Sequence, residues 1–237
     1  MKTLIQIVQE FLARTGLPAA SSAIGNPNRQ LAQIVSLCNE VCEELVTRGL
    51  WQSLQQETVF ATVNGENQGS LATLAPNGFL YILNQTIYNR TLRLPIYGPM
   101  NAEQWQALKA LPTTGPFYKY RVRDGNILFN PVGIAGQTCA FEYASNAPVL
   151  SAVSGTNTSW FTNDGDTFLL DANLMMAGLR WKWKYEQGLL YSEDFTRFEI
   201  LVNNALGRDA SKAQLKMDSG VEDYRPGIMI PYGNWNV

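Results

Sequence analysis

The hydrophobic period of this 237-residue chain changes twice, and those two changes limit the architectures open to it. Leu31, Ile34, Val35, Cys38, Val41, Cys42, Leu45 and Val46 recur at the three-and-four spacing of one helical face, and Gly49 follows them. From about Trp51 the period becomes two. Glu57–Val63 alternates up to Asn64-Gly65, while Phe79–Leu83, Gln85–Tyr88, Thr91–Leu94 and Thr138–Ala144 read as short strands. Asp124-Gly125 lies between Tyr118–Arg123 and Asn126–Phe129, the signal for a two-residue hairpin. One short helix interrupts this region, with Asn101 as its cap, Gln104 three positions on, and Trp105 and Leu108 as its apolar side. Helical spacing returns after the turn-rich segment 154–165. Leu170, Leu174, Ala177, Gly178, Trp181 and Tyr185 mark one face up to Gly188, which leaves Trp183 off the stripe. Ser192 is then the expected cap of a last helix whose core side is Phe195, Phe198, Val202 and Ala205.

A chain that runs helix, strand, helix predicts an α+β fold: a helical bundle from residues 1–50 and 161–217, with a mainly antiparallel β domain, 51–160, inserted in it. The first helix starts at Thr3, whose spacing to Gln6 is that of a capping box, and stops at Gly16 before Pro18. Its opening residues superficially resemble a signal peptide. Gln6, Gln9, Glu10 and Arg14 interrupt the apolar run, however, and Leu4, Val8, Phe11 and Leu12 keep helical spacing. No membrane span is expected, because no run of about 18 apolar residues occurs.

Residues 218–237, DSGVEDYRPGIMIPYGNWNV, are too rich in Pro and Gly to continue a helix and too apolar for a solvated tail. They predict an extended C-terminal docking arm, able to reach about 65 Å at ~3.3 Å per residue. Tyr224, Pro226, Ile228, Met229, Ile230, Pro231, Tyr232 and Trp235 are its candidate docking residues.

Composition removes several chemistries. There is no histidine, so no Ser–His or Cys–His nucleophile system and no histidine metal ligand can form. Cys38, Cys42 and Cys139 are expected as buried, reduced core residues. No phosphate-binding glycine loop and no nucleophile elbow are present. Glu40, Glu43, Glu44, Asp164, Asp166, Glu193 and Asp194 are available as carboxylate pairs, although most fall at caps or exposed helix positions. No catalytic residue, metal site or cofactor is expected. Charged residues make up only 16% of the chain, against a usual ~25%, which leaves a neutral polar surface suited to wide protein contacts. A net charge of −2 gives no global case for nucleic acid. Arg180-Trp181-Lys182-Trp183-Lys184 is the sharpest local one. Arg180, Lys182 and Lys184 are candidate contacts to DNA or a neighbouring subunit; the alternative is one core tryptophan flanked by cations near a helix end. Sequons at Asn84, Asn89 and Asn157 have meaning only in a glycosylating compartment.

The runs LNQTIYNRTLRLPIYGPMNAEQWQALKAL (83–111), GPFYKYRVRDGNILFNPVGIAGQTCAFEYAS (115–145) and FLLDANLMMAGLRWKWKYEQGLLYSEDF (168–195) resemble the head-to-tail adaptor of short-tailed bacteriophages, also called head-completion or tail-tubular-A-like proteins. The resemblance covers nearly the whole chain and rests on structural, not catalytic, motifs. It implies a structural virion protein without enzymatic turnover, made in the bacterial host cytoplasm and placed at the phage neck. Such proteins form a ring, typically of twelve copies, beneath the portal. The ring extends the DNA channel, stabilises the packaged head and carries the tail nozzle, tubular or fibre proteins. The implied partners are the portal protein, neighbouring adaptor subunits and those tail proteins, with packaged DNA close by and no membrane. In the family an extended C-terminal arm reaches the portal, which corresponds here to residues 218–237. Two other classes stand beside this one: a virion-associated peptidoglycan hydrolase using a carboxylate pair, and a DNA-binding module.

Overall fold

The structure, a computed structural model, describes residues 1–110, 115 and 117–209. The expected arm, 218–237, and the adjoining 210–217 lie outside the described residues. The first half contains α1 (Leu4–Thr15), α2 (Arg29–Arg48), β1 (Gln55–Ala61), β2 (Gly65–Ser70), α3 (Leu71–Leu74), β3 (Tyr81–Ile82), β4 (Tyr88–Asn89) and β5 (Leu94–Pro95). The second contains α4 (Ala102–Ala110), β6 (Lys119–Arg123), β7 (Asn126–Gly133), β8 (Thr138–Ala144), β9 (Val149–Leu150), β10 (Asn157–Thr158), β11 (Thr167–Phe168), α5 (Ala172–Glu186) and α6 (Ser192–Asp209).

The expected α+β class is what these elements form. α1, α2, α5 and α6 build one core, and α5 is its centre, packed on the other three. Local chemistry sets the ends of α1: Thr3 and Gln6 bond reciprocally as a capping box, and Gly16 closes it with φ 72°. α5 starts on the Asp171 side chain, which accepts the Asn173 N–H. It ends in a Schellman turn, with Gly188 N–H donating to the Tyr185 carbonyl at 3.0 Å and Leu189 N–H to the Lys184 carbonyl at 2.8 Å. One terminal assignment differs from the sequence reading. Ser192 is the first helical residue of α6 and Tyr191 holds the cap position, because the Tyr191 carbonyl accepts the Phe195 N–H. Gly49 follows the last residue of α2 as expected, with an extended backbone. A Cβ there would lie 2.5 Å from the Leu206 side chain of α6, so close helix approach accounts for the glycine.

The β unit has its own core, from Phe60 to Tyr143. One antiparallel sheet runs β1-β8-β4-β5 with β3 also on β8, and the other runs β2-β7-β6. Phe60 of the first sheet meets Phe129 of the second, ring centroids 6.3 Å apart. Asp124 and Gly125 make the expected hairpin, both with positive φ (50° and 66°). The small sheet β10-β9-β11 belongs to the helical core instead: Val149, Phe161 and Phe168 are buried there, and Leu4 N–H donates to the Asp166 carbonyl. The inserted unit therefore closes near residue 145, and the expected boundary at 160 cuts through a segment that packs with the helices.

Candidate functional site

The basic segment of α5 is tied to its neighbours by charge. Lys182 is only 6% exposed and donates to Glu40 at 2.6 Å, with Glu44 at 3.0 Å and its ammonium over the Trp181 ring. Glu44 also binds Arg48 at 2.7 Å, and Arg48 reaches Glu199 of α6 at 2.6 Å, so one network joins α2, α5 and α6. Burial pushes the Glu44 carboxyl up, but the hydrogen bonds from Arg48 and Lys182 outweigh it and hold it below the usual carboxylate value. Arg180 and Lys184 share Asp194: Arg180 Nε sits 3.0 Å from Oδ1, and Lys184 pairs with Oδ2. Of the three candidate cations, Arg180 is the most open, at 49% side-chain exposure; Lys182 is spent inside the bundle.

Trp181 packs against the helical core as the stripe predicts, whereas Trp183, expected off the stripe, is buried as well. Trp183 is buried edge-on against Phe11 of α1, ring centroids 5.8 Å apart, while Trp181 lies half-buried at the α5–α6 side against Phe195. A single stripe is too narrow for a helix covered on three sides; Met175, Leu179, Lys182 and Trp183 form a second buried face.

Beyond that packing, apolar side chains stand free at the turn joining α5 and α6. Leu190 is 91% exposed and Leu189 55%, flanked by exposed Tyr185, Tyr191 and Phe195. Tyr185 and Tyr191 brace each other edge-to-face at 5.2 Å. The β unit has its own apolar end. Lys119 pairs with Asn130 and bridges to Tyr97, which brings Tyr97, Phe117 and Val132 to one end of the β2-β7-β6 sheet, all exposed.

The carboxylates singled out from sequence are structural fixings. Asp166 is fully buried and accepts from the N–H groups of Ala152, Thr162 and Asn163 at 2.7–2.9 Å and from the Thr162 hydroxyl. Burial pushes its carboxyl up, yet these donors together hold it below the ordinary value. Asp164 accepts from Ala23 and Ile24, pinning the α1–α2 connection, and Glu43 accepts from the Trp160 indole. Glu193 is exposed in the first turn of α6. The carboxylates that do face each other were not among those candidates. Glu57 and Glu142 are direct cross-strand partners on β1 and β8, beside Arg90 and Arg93, at an open cavity of about 590 Å3. Arg90 ion-pairs with Glu57 and offsets the like-charge contact. Only the strand register brings the two together, and no local signal in either segment carries it.

Cys38, Cys42 and Cys139 are free and buried as expected; burial pushes the Cys38 thiol up to about 12 and Cys139 to about 11. Among the described residues no group of His, Cys, Asp or Glu is assembled to hold a metal ion. No helix among them is long and apolar enough to cross a membrane. No protein-family model matches the chain, and no curated protein matches it.

Proposed function

We propose that the chain is a head-to-tail adaptor: a structural subunit that joins copies of itself into a ring beneath a phage portal and carries the tail proteins below. The observation that supports this best is the pair of unlike apolar surfaces, one on each core. Leu189, Leu190 and Tyr191 stand out from the helical bundle, while Tyr97, Phe117 and Val132 stand out from the β unit. A ring closed by rotation needs two different patches on every subunit, since each copy meets its neighbour head to tail. A helix–helix turn that holds a leucine 91% exposed leaves apolar area in water that a partner surface would cover. The root of the arm fits the same picture. The Asp209 carboxylate accepts the Gln52 N–H at 2.7 Å, which fixes the end of α6 to the junction between the bundle and the β unit. From there residues 218–237 extend to the portal, with Tyr224, Tyr232 and Trp235 as anchors and Pro226 and Pro231 lowering the ordering cost. Many arms acting together hold the ring far more tightly than one. The virion neck is the resulting location, with packaged DNA passing close by.

The experiment is sedimentation of the full chain mixed with portal rings. The wild-type chain co-sediments with the portal. Leu190→Asp, a substitution at a fully solvated site, leaves helical content and thermal midpoint unchanged but abolishes co-sedimentation. Co-sedimentation unaffected by Leu190→Asp removes the turn from the assembly surface. Clearing of purified cell walls that is lost in Glu57→Gln or Glu142→Gln replaces the structural reading with hydrolysis.

A further inference from the structure

Where α5 and α6 run side by side, a recess of about 290 Å3 opens with the end of α1 at its rim. Its charged lining is four arginines, Arg14, Arg180, Arg197 and Arg208, against two aspartates, Asp171 and Asp194. That is an excess of two positive charges on a chain whose net charge is −2. The aspartates are already engaged: Asp171 caps α5, and Asp194 is shared by Arg180 and Lys184. Among the described residues Arg197 makes no ion pair, and Arg208 is bonded only to the carbonyl of Asn204 in its own helix. Arg14 shares Glu10 with Lys2. The recess therefore holds guanidinium groups whose charge the described part of the chain leaves unspent.

Its shape limits what they bind. From Arg197 to Arg208 the helix advances about 16 Å at ~1.5 Å per residue. One small ion is too short to engage both ends, so the ligand carries several anionic groups in line. The floor between them is formed by Leu174, Ala177 and Leu201. An acidic peptide would bring backbone N–H and C=O groups onto that apolar floor, where they lose water without gaining partners. A phosphate chain brings oxygens that the guanidinium forks match and no donors that need satisfying.

We propose that this trough binds a linear chain of phosphate groups, either a free polyphosphate or the phosphodiester backbone of a nucleic acid. The site stands apart from the adaptor reading, because its helices form it within one subunit.

The test uses the full chain, a fluorescently labelled single-stranded oligonucleotide and long-chain sodium polyphosphate as a competitor. Binding by anisotropy is expected to be saturable and to weaken steeply with salt. Arg197→Gln combined with Arg208→Gln is expected to lower the slope of log K against log salt by about 1.4, ~0.7 for each lost contact. Arg121→Gln combined with Arg123→Gln removes the same charge from β6 and is expected to leave binding unchanged. Displacement by long-chain polyphosphate at low concentration assigns the trough to free polyphosphate, and oligonucleotide binding that survives an excess of it assigns the trough to a phosphodiester backbone. Absence of saturable binding to either probe overturns the proposal. So does an equal loss in both double variants, or stronger competition by polyglutamate than by long-chain polyphosphate. Circular dichroism of each variant checks that the helices remain formed.

Discussion

The two carboxylates on α2 that meet the buried Lys182 side chain have other support. Glu44 retains Arg48, and Glu40 remains more than half exposed to water. Removing the ammonium therefore strands neither carboxylate. Lys182→Met, which preserves the buried stem, is expected to change unfolding free energy by no more than about 1 kcal/mol. Lys182→Ala, which loses that stem against Trp181, is expected to cost about 2 kcal/mol. Urea unfolding separates the two, and an equal loss in both variants contradicts this account. Asp166 gives the pH dependence. Its folded carboxyl sits below the ordinary value, so its contribution is complete above about pH 4 and is lost as pH falls through the folded value. Asp166→Asn is expected to lower the thermal midpoint at neutral pH, with the gap to wild type closing as pH falls from about 5 toward 2. A gap that stays constant across that range shows that charge is not what the loop uses. Neither role was legible beforehand, since a lysine between two tryptophans and an aspartate in a turn-rich segment look solvated until partners far away in sequence arrive.

At the scale of elements, what sequence conveys depends on whether an element is made by its own residues. α2 carries a complete apolar face, and seven of the eight residues read from its period are buried, Val35 being the half-buried exception. The Asp124-Gly125 hairpin is equally local. β2 is the opposite case. GENQGS has no alternation, and it becomes a strand because Gln68 folds back to bond Val63 and Gly65 while the register slips twice against β7. α5 was legible as a helix and illegible as the central one. Gly178 is the residue that permits that position: a Cβ there would lie 2.7 Å from Val41 Cγ1 and 3.2 Å from Phe198 Cε2. Alanine gains ~1 kcal/mol in helix propensity at this site, but overpacking at a three-helix contact costs about 1–3 kcal/mol. Gly178→Ala is thus expected to destabilise by about 1 kcal/mol, and a stabilised variant in chemical denaturation shows that α2 and α6 can yield.

For the whole molecule, the division into a bundle and an inserted β unit follows from the two period changes. The exact junction did not, because β9 and β11 are two-residue strands whose Val149 and Phe168 join the helical core only after folding. The surfaces proposed for assembly divide in the same way. Residues 218–237 announce themselves by composition, whereas the exposed turn at Leu190 becomes visible only once α5 and α6 are seen to leave it unpacked. Deletion of residues 218–237 is expected to leave a folded, helical subunit with the wild-type melting midpoint, since the described helices and strands pack into two cores of their own. A marked loss of stability on deletion places the arm in its own subunit's core instead.

Electron microscopy of the chain incubated with portal rings tests the adaptor claim most directly. An added ring of density is expected beneath each portal, present with the full chain and absent with the chain lacking residues 218–237. Portal images that stay unchanged in the presence of the full chain contradict it.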